Sequence, residues 1–244
     1  MPSSVPCKKT AILAKKTFSG SLKTLKSPIL GAKNMALFIT LDGMDGAGKT
    51  TQLDVIRQWF AERNLPVLFS REPGGTPLGE NLRQLLLNPE LKGQISLHTE
   101  TLLMFAARQQ HLEDVVRPAL AAGVNVVCDR FTDATYAYQG GGRGVATEKI
   151  AMLEQWVQQG LQPDLTLVLD VPLNTALARL DAGRDKDRFE REEADFFARV
   201  REVYRQRAAA EPQRCVVIDS SQSKETVKAQ IESILAERVA MRAA

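Results

Sequence analysis

The sequence is poor in cysteine and has no long apolar run and no internal repeat. Its three cysteines include no pair at metal-ligand spacing, which argues against a zinc site and fits a reducing compartment. No uninterrupted apolar run approaches the roughly 20 residues needed to cross a bilayer, and no apolar segment followed by a small-residue cleavage site opens the chain. These absences predict a soluble, cytoplasmic protein with no membrane partner.

Acidic residues are missing from the first 34 positions, and this imbalance distorts the overall charge. Residues 1–34 contain seven lysines and no Asp or Glu, so the formal net charge of +3 becomes −4 for the remainder. A mildly acidic body argues against a nucleic-acid partner, because nucleic-acid-binding domains carry concentrated basic surfaces. We expect residues 1–34 to be a disordered or mis-assigned basic extension, with Met35 as the functional start, rather than a targeting signal.

Short apolar runs rich in β-branched residues alternate with segments of helical periodicity. Helices are predicted at 99–112 and 223–239, among others. Strands, each buried on both faces, are predicted at 36–41, 66–70, 124–129, 165–170 and 215–219. The alternation predicts one α/β domain over residues 35–244, a three-layer sandwich with a five-stranded parallel sheet between helices. Ligands are then expected at the carboxyl ends of the strands.

The stretch after the first predicted strand has the pattern G-x-x-x-x-G-K-[ST] of a phosphate-binding loop. Gly43, Gly48, Lys49 and Thr50 fill the fixed positions, between an apolar strand and an amphipathic helix. The glycines let successive amides point at phosphate oxygens, and the helix N-terminus adds positive potential. Lys49 is predicted to neutralise the β- and γ-phosphates, and the Thr50 hydroxyl to ligate Mg²⁺. The predicted ATP-binding residues are Gly43, Met44, Asp45, Gly46, Ala47, Gly48, Lys49, Thr50 and Thr51.

The loop establishes a P-loop NTPase-type fold but leaves the use of the nucleotide open. A GTPase switch normally carries an N-K-x-D guanine reader, and the sequence has none. Small-molecule kinases and ATPases remain, together with the alternative of a nucleotide-dependent binding or switch protein.

Charged residues follow the second and third predicted strands. Arg71 begins "REPGGTPLG", and Asp129 and Arg130 lie in "CDRF". A guanidinium can hold a phosphate with two hydrogen bonds, so two arginines beside one nucleotide loop suggest a second, phosphorylated substrate. Asp129 is predicted to be a direct or indirect partner of Mg²⁺, with a cap on the following turn as the alternative.

The predicted helix 99–112 carries Met104, Phe105 and Arg108 on one face. An apolar surface beside a guanidinium could stack a base and hydrogen-bond its carbonyl edge. Core packing of Met104 and Phe105, with Arg108 in a salt bridge, is the better interpretation of this stretch alone.

From about Met35 to its end, the chain resembles the thymidylate kinases, which phosphorylate dTMP to dTDP with ATP in dTTP biosynthesis. The resemblance lies in the phosphate loop and in "REPGGTPLGENLRQLL", "FAARQQHL", "CDRFTDATYAYQGGGRG", "PDLTLVLDV" and "DRFERE". It implies a nucleoside monophosphate kinase, a homodimer and dTMP as the second substrate. The rival within this class is a kinase for another nucleoside or nucleoside monophosphate.

The resemblance also implies roles for the acceptor residues. Arg71 and Arg130 would hold the dTMP phosphate, with Arg83 near it. Arg108 would read thymine O4, and an apolar side chain at Met104 or Phe105 would cover the ring. The remaining members of the implied dTMP site are Thr135 facing thymine N3, Tyr138 excluding a ribose 2′-hydroxyl, and Gln139 beside the same pocket.

Asp45 is an acidic residue inside a loop that holds anions. A carboxylate turned toward the phosphates of ATP would be repelled, by about 4 kcal/mol per unit-charge pair at 4 Å with an effective dielectric near 20. It is therefore expected to point elsewhere. The resemblance implies that Asp45 faces the acceptor and accepts a hydrogen bond from its sugar 3′-hydroxyl.

A segment dense in charge, "RLDAGRDKDRFERE", follows the fourth predicted strand. A solvated surface is the default interpretation. The resemblance instead implies a lid over about 179–192 that carries the catalytic arginines, because the loop position that is arginine in some thymidylate kinases is Gly46 here. It assigns Arg184 or Arg188 to catalysis, beside Lys49 and Asp45, and leaves Arg179 as a third candidate.

Overall fold

The computed structural model describes residues 36–181 and 187–243. Five strands form one parallel sheet in the order β2-β3-β1-β4-β5. The predicted α/β fold with a five-stranded parallel sheet flanked by helices is confirmed. The strands are β1 Phe38–Gly43, β2 Val67–Arg71, β3 Asn125–Asp129, β4 Leu165–Asp170 and β5 Cys215–Asp219.

The prediction that every strand is buried on both faces is wrong for β2 and β5. The three central strands are almost entirely buried, whereas β2 is half-buried along most of its length and β5 is partly exposed. Both are edge strands, so only one side of each is covered by a neighbouring strand. The apolar composition of these segments does not distinguish an edge strand from a central strand.

The α-helices cover both faces of this sheet. The predicted helices 99–112 and 223–239 are confirmed as α3 and α9, with ends that differ by a few residues. A 3₁₀ turn occupies Pro89–Leu91, and π-helical segments occupy Leu112–Val116 and Tyr136–Gly142. The helices are α1 Lys49–Glu62, α2 Pro77–Leu87, α3 Leu97–His111, α4 Arg117–Ala121, α5 Thr132–Thr135, α6 Thr147–Gln158, α7 Leu173–Asp181, α8 Ala194–Ala210 and α9 Lys224–Ala243.

The core lies on both sides of the sheet, as the strand periodicity requires. In β3, Val127 packs into one apolar cluster while Val126 and Cys128 pack into the other. The first cluster includes Phe60 of α1, and the second includes Phe105 of α3. The carboxyl ends of β1 and β3 are thereby held side by side, with Leu41 opposite Asp129.

Some predictions fall on residues outside those described. Residues 1–34, Met35 and Arg184 are among them. Within 36–181 and 187–243, no helix has the length and apolar character of a membrane span.

Candidate active site

The phosphate loop joins β1 to α1, and glycine determines its shape. Gly46 and Gly48 have φ angles of 79° and 90°, in the left-handed region that favours glycine. A Cβ on Gly46 would lie 2.4 Å from the carbonyl oxygen of Ala176 in α7, so the position also lacks room for a side chain. Gly48 directly precedes α1, and the first amides of that helix are therefore available to an anion.

Lys49 folds back over the loop. Its Nζ donates to the carbonyl oxygens of Gly43 at 3.2 Å and Met44 at 3.3 Å, and it lies 3.6 Å from Oδ1 of Asp45. Burial and the nearby Arg130 lower the pKa of the Lys49 ammonium. The ammonium is thus held at the mouth of the loop, where phosphate oxygens can replace neutral carbonyl partners.

Asp45 lies between Lys49 and the acceptor side of the site. Its Oδ1 pairs with Nη2 of Arg130, and its Oδ2 accepts a hydrogen bond of 2.8 Å from the Tyr138 hydroxyl. Burial raises the pKa of the Asp45 carboxyl, but Arg130 and Lys49 outweigh it and lower the pKa to about 2. The carboxylate is therefore ionised at neutral pH and faces Arg130 and Tyr138.

Beside the loop lies a cavity, which we call the acceptor cavity. It brings together all the sequence-predicted acceptor residues except Arg71 and Phe105. Its lining is polar toward the loop and contains apolar side chains elsewhere. The lining residues are Asp45, Glu72, Pro73, Arg83, Leu87, Met104, Arg108, Arg130, Phe131, Ala134, Thr135, Tyr138, Gln139, Asp187 and Phe189.

Arg108 is buried in the wall of the acceptor cavity. Its Nε donates to Oε2 of Glu72 at 2.7 Å, and its Nη2 donates to Oγ1 of Thr135 at 3.0 Å. The guanidinium lies 4.8 Å from the ring centre of Phe105 and 4.9 Å from that of Phe131. The remaining nitrogen, Nη1, is buried and has no hydrogen-bond partner among the described residues. Both N–H groups of Nη1 are thus unsatisfied within the wall of the cavity.

The two apolar candidates on α3 have different surroundings. Met104 lines the acceptor cavity, whereas Phe105 is 2% exposed and packs in the core against the Arg108 guanidinium. Sequence periodicity left both positions open, because adjacent helical positions are only about 100° apart around the axis. Of the two, only Met104 is placed to contact a ring bound in the cavity. Phe105 instead packs against the Arg108 guanidinium from the core side.

Thr135, Tyr138 and Gln139 also face the acceptor cavity. Thr135 ends α5, and the other two lie in the π-helical segment Tyr136–Gly142. Nε2 of Gln139 donates to Oε1 of Glu100 at 2.8 Å, which fixes the amide. The fold thus brings the three side chains to one wall of the cavity.

The three arginines predicted at the acceptor phosphate have unequal positions. Arg130 and Arg83 line the cavity, and Arg83 donates from Nη1 to the carbonyl oxygen of Pro73 at 3.0 Å. The side chain of Arg71 is 52% exposed and pairs with Glu80, with 2.7 Å between Nη2 and Oε2. Arg130 has a φ of 69°, a left-handed backbone uncommon for a residue other than glycine, at the point where β3 ends.

Buried carboxylates lie beside the loop, at the place expected for a divalent cation. Oδ1 of Asp129 is buried and lacks a hydrogen-bond partner among the described residues, as does Oδ2 of Asp42. Burial and Asp133 raise the pKa of Asp42 to about 7, which makes Asp42 the weaker anion. A carboxylate oxygen without a partner suits a hard cation, so Asp129 and the exposed Thr50 at the start of α1 fit the predicted Mg²⁺ site.

The lid arginines that the structure describes have distinct partners. Arg179 of α7 donates from Nη1 to the carbonyl oxygen of Gly46 at 3.1 Å. Arg188 is 2% exposed, donates to the carbonyl oxygen of Leu86 at 2.6 Å, and has Nη2 2.7 Å from Oε2 of Glu100. Arg179 therefore contacts the phosphate loop, and Arg188 ties the lid to α2 and α3.

Several residues of the cavity were not predicted from the sequence. Glu72 holds Arg108, His111 holds Glu72, and Phe131 packs beneath the guanidinium. Phe189 lines the cavity from the lid side and contacts the Tyr138 ring at 5.9 Å. The sequence offered one signal for the first of these contacts, the acidic residue between Arg71 and Pro73. An acidic side chain that becomes buried needs a cationic partner.

The arrangement fits one class of protein. A phosphate loop beside a second cavity lined by Arg83 and Arg130 suits a nucleoside monophosphate kinase, which binds a nucleotide and a phosphorylated acceptor side by side. The family model for thymidylate kinase matches residues 41–231. The chain belongs to the thymidylate kinase family.

Relatives of known family support this assignment. The chain is 64% identical over 198 residues to a thymidylate kinase of Neisseria gonorrhoeae (strain NCCP11945), over 81% of this chain and 95% of the relative. It is 55% identical over 202 residues to a thymidylate kinase of Cupriavidus metallidurans, over 82% and 97% of the two chains. The crystal structure of thymidylate kinase from Ehrlichia chaffeensis matches with a TM-score of 0.67 at 32% identity, covering 82% of this chain and 98% of that one.

Proposed function

We propose that the protein transfers the γ-phosphoryl group of ATP to dTMP, which yields ADP and dTDP, the reaction of its family. The observation that carries this proposal is the free donor of Arg108. Arg108, whose buried Nη1 has no partner among the described residues, lines the same cavity as Asp45 of the phosphate loop, so one ligand can contact both residues. A nucleotide with a carbonyl on its base meets these two requirements.

The base end of the cavity favours thymine over cytosine. Nη1 of Arg108 can donate to a carbonyl such as thymine O4, but an amino group at that position is itself a donor and leaves Nη1 unsatisfied. Met104 covers the ring, and Thr135 faces N3. Tyr138 closes the side on which a ribose would carry its 2′-hydroxyl, with Gln139 next to it.

The phosphate end of the cavity carries Arg130 and Arg83, with the more exposed Arg71 at its edge. Arg130 is held by Asp45 and by Tyr138, whose hydroxyl accepts from Nη2 at 3.0 Å. These arginines bind the dTMP phosphate, and Asp45 accepts a hydrogen bond from the 3′-hydroxyl. The acceptor is thereby held at both of its polar ends.

The phosphate loop binds the triphosphate of ATP through backbone amides from Gly43 to Thr51. Thr50 and Asp129 are the residues that hold Mg²⁺, whose charge neutralises the donor phosphates when it is bound. Lys49 neutralises the β- and γ-phosphates from the other side.

Phosphoryl transfer here needs no general base. A dTMP phosphate oxygen is already anionic at neutral pH, so it attacks the γ-phosphorus in line while ADP leaves. Lys49 and a lid arginine stabilise the charge on the transferring group. We retain Arg184 and Arg188 for this role and keep Arg179 as the third candidate, since Arg179 already contacts Gly46.

Separate alanine variants at Arg179, Arg184 and Arg188 identify the transition-state arginine. Its loss is expected to lower kcat by about 10³-fold, by analogy with arginine fingers. Arg188→Ala has a second consequence, because it leaves Glu100 buried without that cation and should also lower the melting temperature. A variant that loses kcat by this factor at a temperature where it is still folded marks the catalytic arginine.

We also propose a homodimer formed through α2, α3 and α6. These neighbouring helices expose large apolar side chains, which a second copy would cover. Trp156 and Met152 of α6 are 74% and 70% exposed, and Leu102 of α3 is 53% exposed. Trp156→Glu should yield a monomer by light scattering, whereas the matched change at exposed Met241 of α9 should not. A wild-type monomer at micromolar concentration would contradict the dimer.

The test of the function is a coupled assay of ADP formation across dTMP, dUMP, dCMP and thymidine. ADP formation should depend on the acceptor and be fastest with dTMP. ATP turnover indifferent to dTMP would instead support a nucleotide-dependent switch protein, and a preference for another acceptor would support a different nucleotide kinase. A cytoplasmic location stays a prediction.

A further inference from the structure

Behind Arg108 lies a set of polar residues, the half-buried Ser70 and the buried His111 and Glu72, which we call the support chain. Oγ of Ser70 is 2.6 Å from Nε2 of His111, and Nδ1 of His111 is 2.8 Å from Oε1 of Glu72. The other carboxylate oxygen, Oε2, accepts from Nε of Arg108 at 2.7 Å. The support chain thus runs from β2 through α3 to the guanidinium in the cavity wall.

The direction of each hydrogen bond follows from the charge on Glu72. Burial raises the pKa of the Glu72 carboxyl, but Arg108 and His111 outweigh it and the net pKa is lowered. Glu72 is therefore a carboxylate that only accepts, so Nδ1 of His111 must carry a proton and donate. In neutral His111, Nε2 then accepts from the Ser70 hydroxyl.

The support chain has no spare ligand atom for a metal, although Cys128 is close to Glu72 and His111. Both imidazole nitrogens and both Glu72 oxygens already have partners. It also has no spare room, because a Cβ on Gly75 would lie 2.5 Å from Oγ of Ser70 and 2.6 Å from Cδ2 of His111. The support chain therefore serves to hold the side chain of Arg108 in place.

His111 controls how Glu72 contacts Arg108. A carboxylate freed from His111 would offer both oxygens to the guanidinium, and the favoured geometry is a fork to two of its nitrogens. A fork to Nε and Nη2 would rotate the guanidinium relative to Thr135 and to the cavity. By holding Oε1, His111 keeps the contact single and the guanidinium in the orientation in which Nη2 contacts Thr135 and Nη1 has no partner among the described residues.

We propose that His111 is a positioning residue for base selection, which acts through Glu72 to fix the direction of Arg108 Nη1. The proposal rests on the proposed role of Arg108 at the thymine carbonyl. It predicts that His111 affects the choice of base while leaving the use of ATP unchanged.

Two substitutions at His111 separate its two hydrogen bonds. The amide nitrogen of Asn can replace Nδ1 as a donor, and the amide oxygen of Gln can replace Nε2 as an acceptor, so His111→Asn keeps the contact with Glu72 and His111→Gln keeps the contact with Ser70. We expect His111→Gln to raise the KM for dTMP, and to lower the dTMP-to-dCMP ratio of kcat/KM, by about tenfold or more. The KM for ATP should stay within about twofold. His111→Asn should recover most of the selectivity.

An Arg108→Met background shows whether His111 acts through Arg108. In that background, His111→Gln should change neither the KM for dTMP nor the selectivity further. Glu72→Gln provides a second variant of nearly the same shape, with the same expected loss, if His111→Gln does not fold. Melting temperatures of all variants separate a loss of fold from a loss of positioning.

Each other outcome overturns a specific statement. Equal kinetics of His111→Gln and His111→Asn, an equal rise of both substrate KM values, or an effect that persists in Arg108→Met would overturn the role of His111. A wild type that uses dCMP as well as dTMP, or an Arg108→Met variant with unchanged KM for dTMP, would instead overturn the proposed role of Arg108 on which it rests.

Discussion

The donor side and the acceptor side of the site are built from different parts of the chain. Phosphate binding on the donor side depends on one continuous loop, whose glycines aim backbone amides at an anion. The acceptor cavity depends on side chains from the turn after β2, from α2, α3 and α5, and from residues 187 and 189, which meet only in the folded protein. A short motif can therefore specify the donor site, whereas the acceptor site requires the whole fold.

Substitution of Lys49, on the donor side, is expected to have the largest effect on activity. Lys49→Met removes the cation at the mouth of the loop, so kcat should fall at least about 100-fold, a loss typical of one missing transition-state contact. Steady-state kinetics with both substrates varied measures it. A change confined to the KM for dTMP would place Lys49 on the acceptor side instead.

Asp45 tests whether one loop residue serves the acceptor side. Asp45→Ala removes the partner of Arg130 and Tyr138, so the KM for dTMP should rise about tenfold or more, as for a lost charged hydrogen bond. Asp45→Asn keeps an oxygen for the 3′-hydroxyl and should lose less. A loss confined to ATP affinity would contradict this assignment.

Gly46 and Gly93 form a matched pair for the loop geometry. Both have φ near 80°, but a Cβ on Gly46 would contact Ala176 whereas one on Gly93 has nothing within 4 Å. Alanine at Gly93 should cost about 1 kcal/mol of the free energy of unfolding from backbone strain alone. Gly46→Ala should cost more and raise the KM for ATP. Equal melting temperatures for the two variants would show that α7 moves away from the added Cβ at no cost.

Substitution of Asp42, which lies under the loop, should change activity least. Its effect on stability should instead depend on pH. Burial and Asp133 raise its pKa from 3.8 to about 7, so the folded protein favours the protonated form, and stability falls as pH rises through that range. Asp42→Asn should therefore raise the melting temperature at pH 8 by a few degrees, and less at pH 5. Thermal melts of both proteins at the two pH values measure it; an equal shift at both would contradict it.

Most of the fold was predictable because strands and helices have local sequence periods. β1, the loop and α1 form one local unit, and each was predicted from neighbouring residues. The edge positions of β2 and β5 depend on strand order, which apolar runs do not encode.

The acceptor site was predictable only as a set of residues. Glu72 meets Arg108 across 36 positions of sequence and His111 across 39, so no local pattern could pair them. Likewise, the pairing of Arg188 with Glu100, and the choice of Met104 over Phe105 for the cavity wall, follow from the way α2, α3 and the lid pack.

Asp45 contacts both Lys49 and Arg130, and we expect this shared contact to couple the binding of the two proposed substrates. Triphosphate that draws Lys49 toward itself leaves Asp45 with Arg130 as its cation, which changes the charge that an incoming monophosphate meets. Linkage requires the converse, so dTMP must alter the dissociation constant of ATP by the same factor as ATP alters that of dTMP. The size of that factor therefore reports how strongly this one carboxylate couples the two halves of the site.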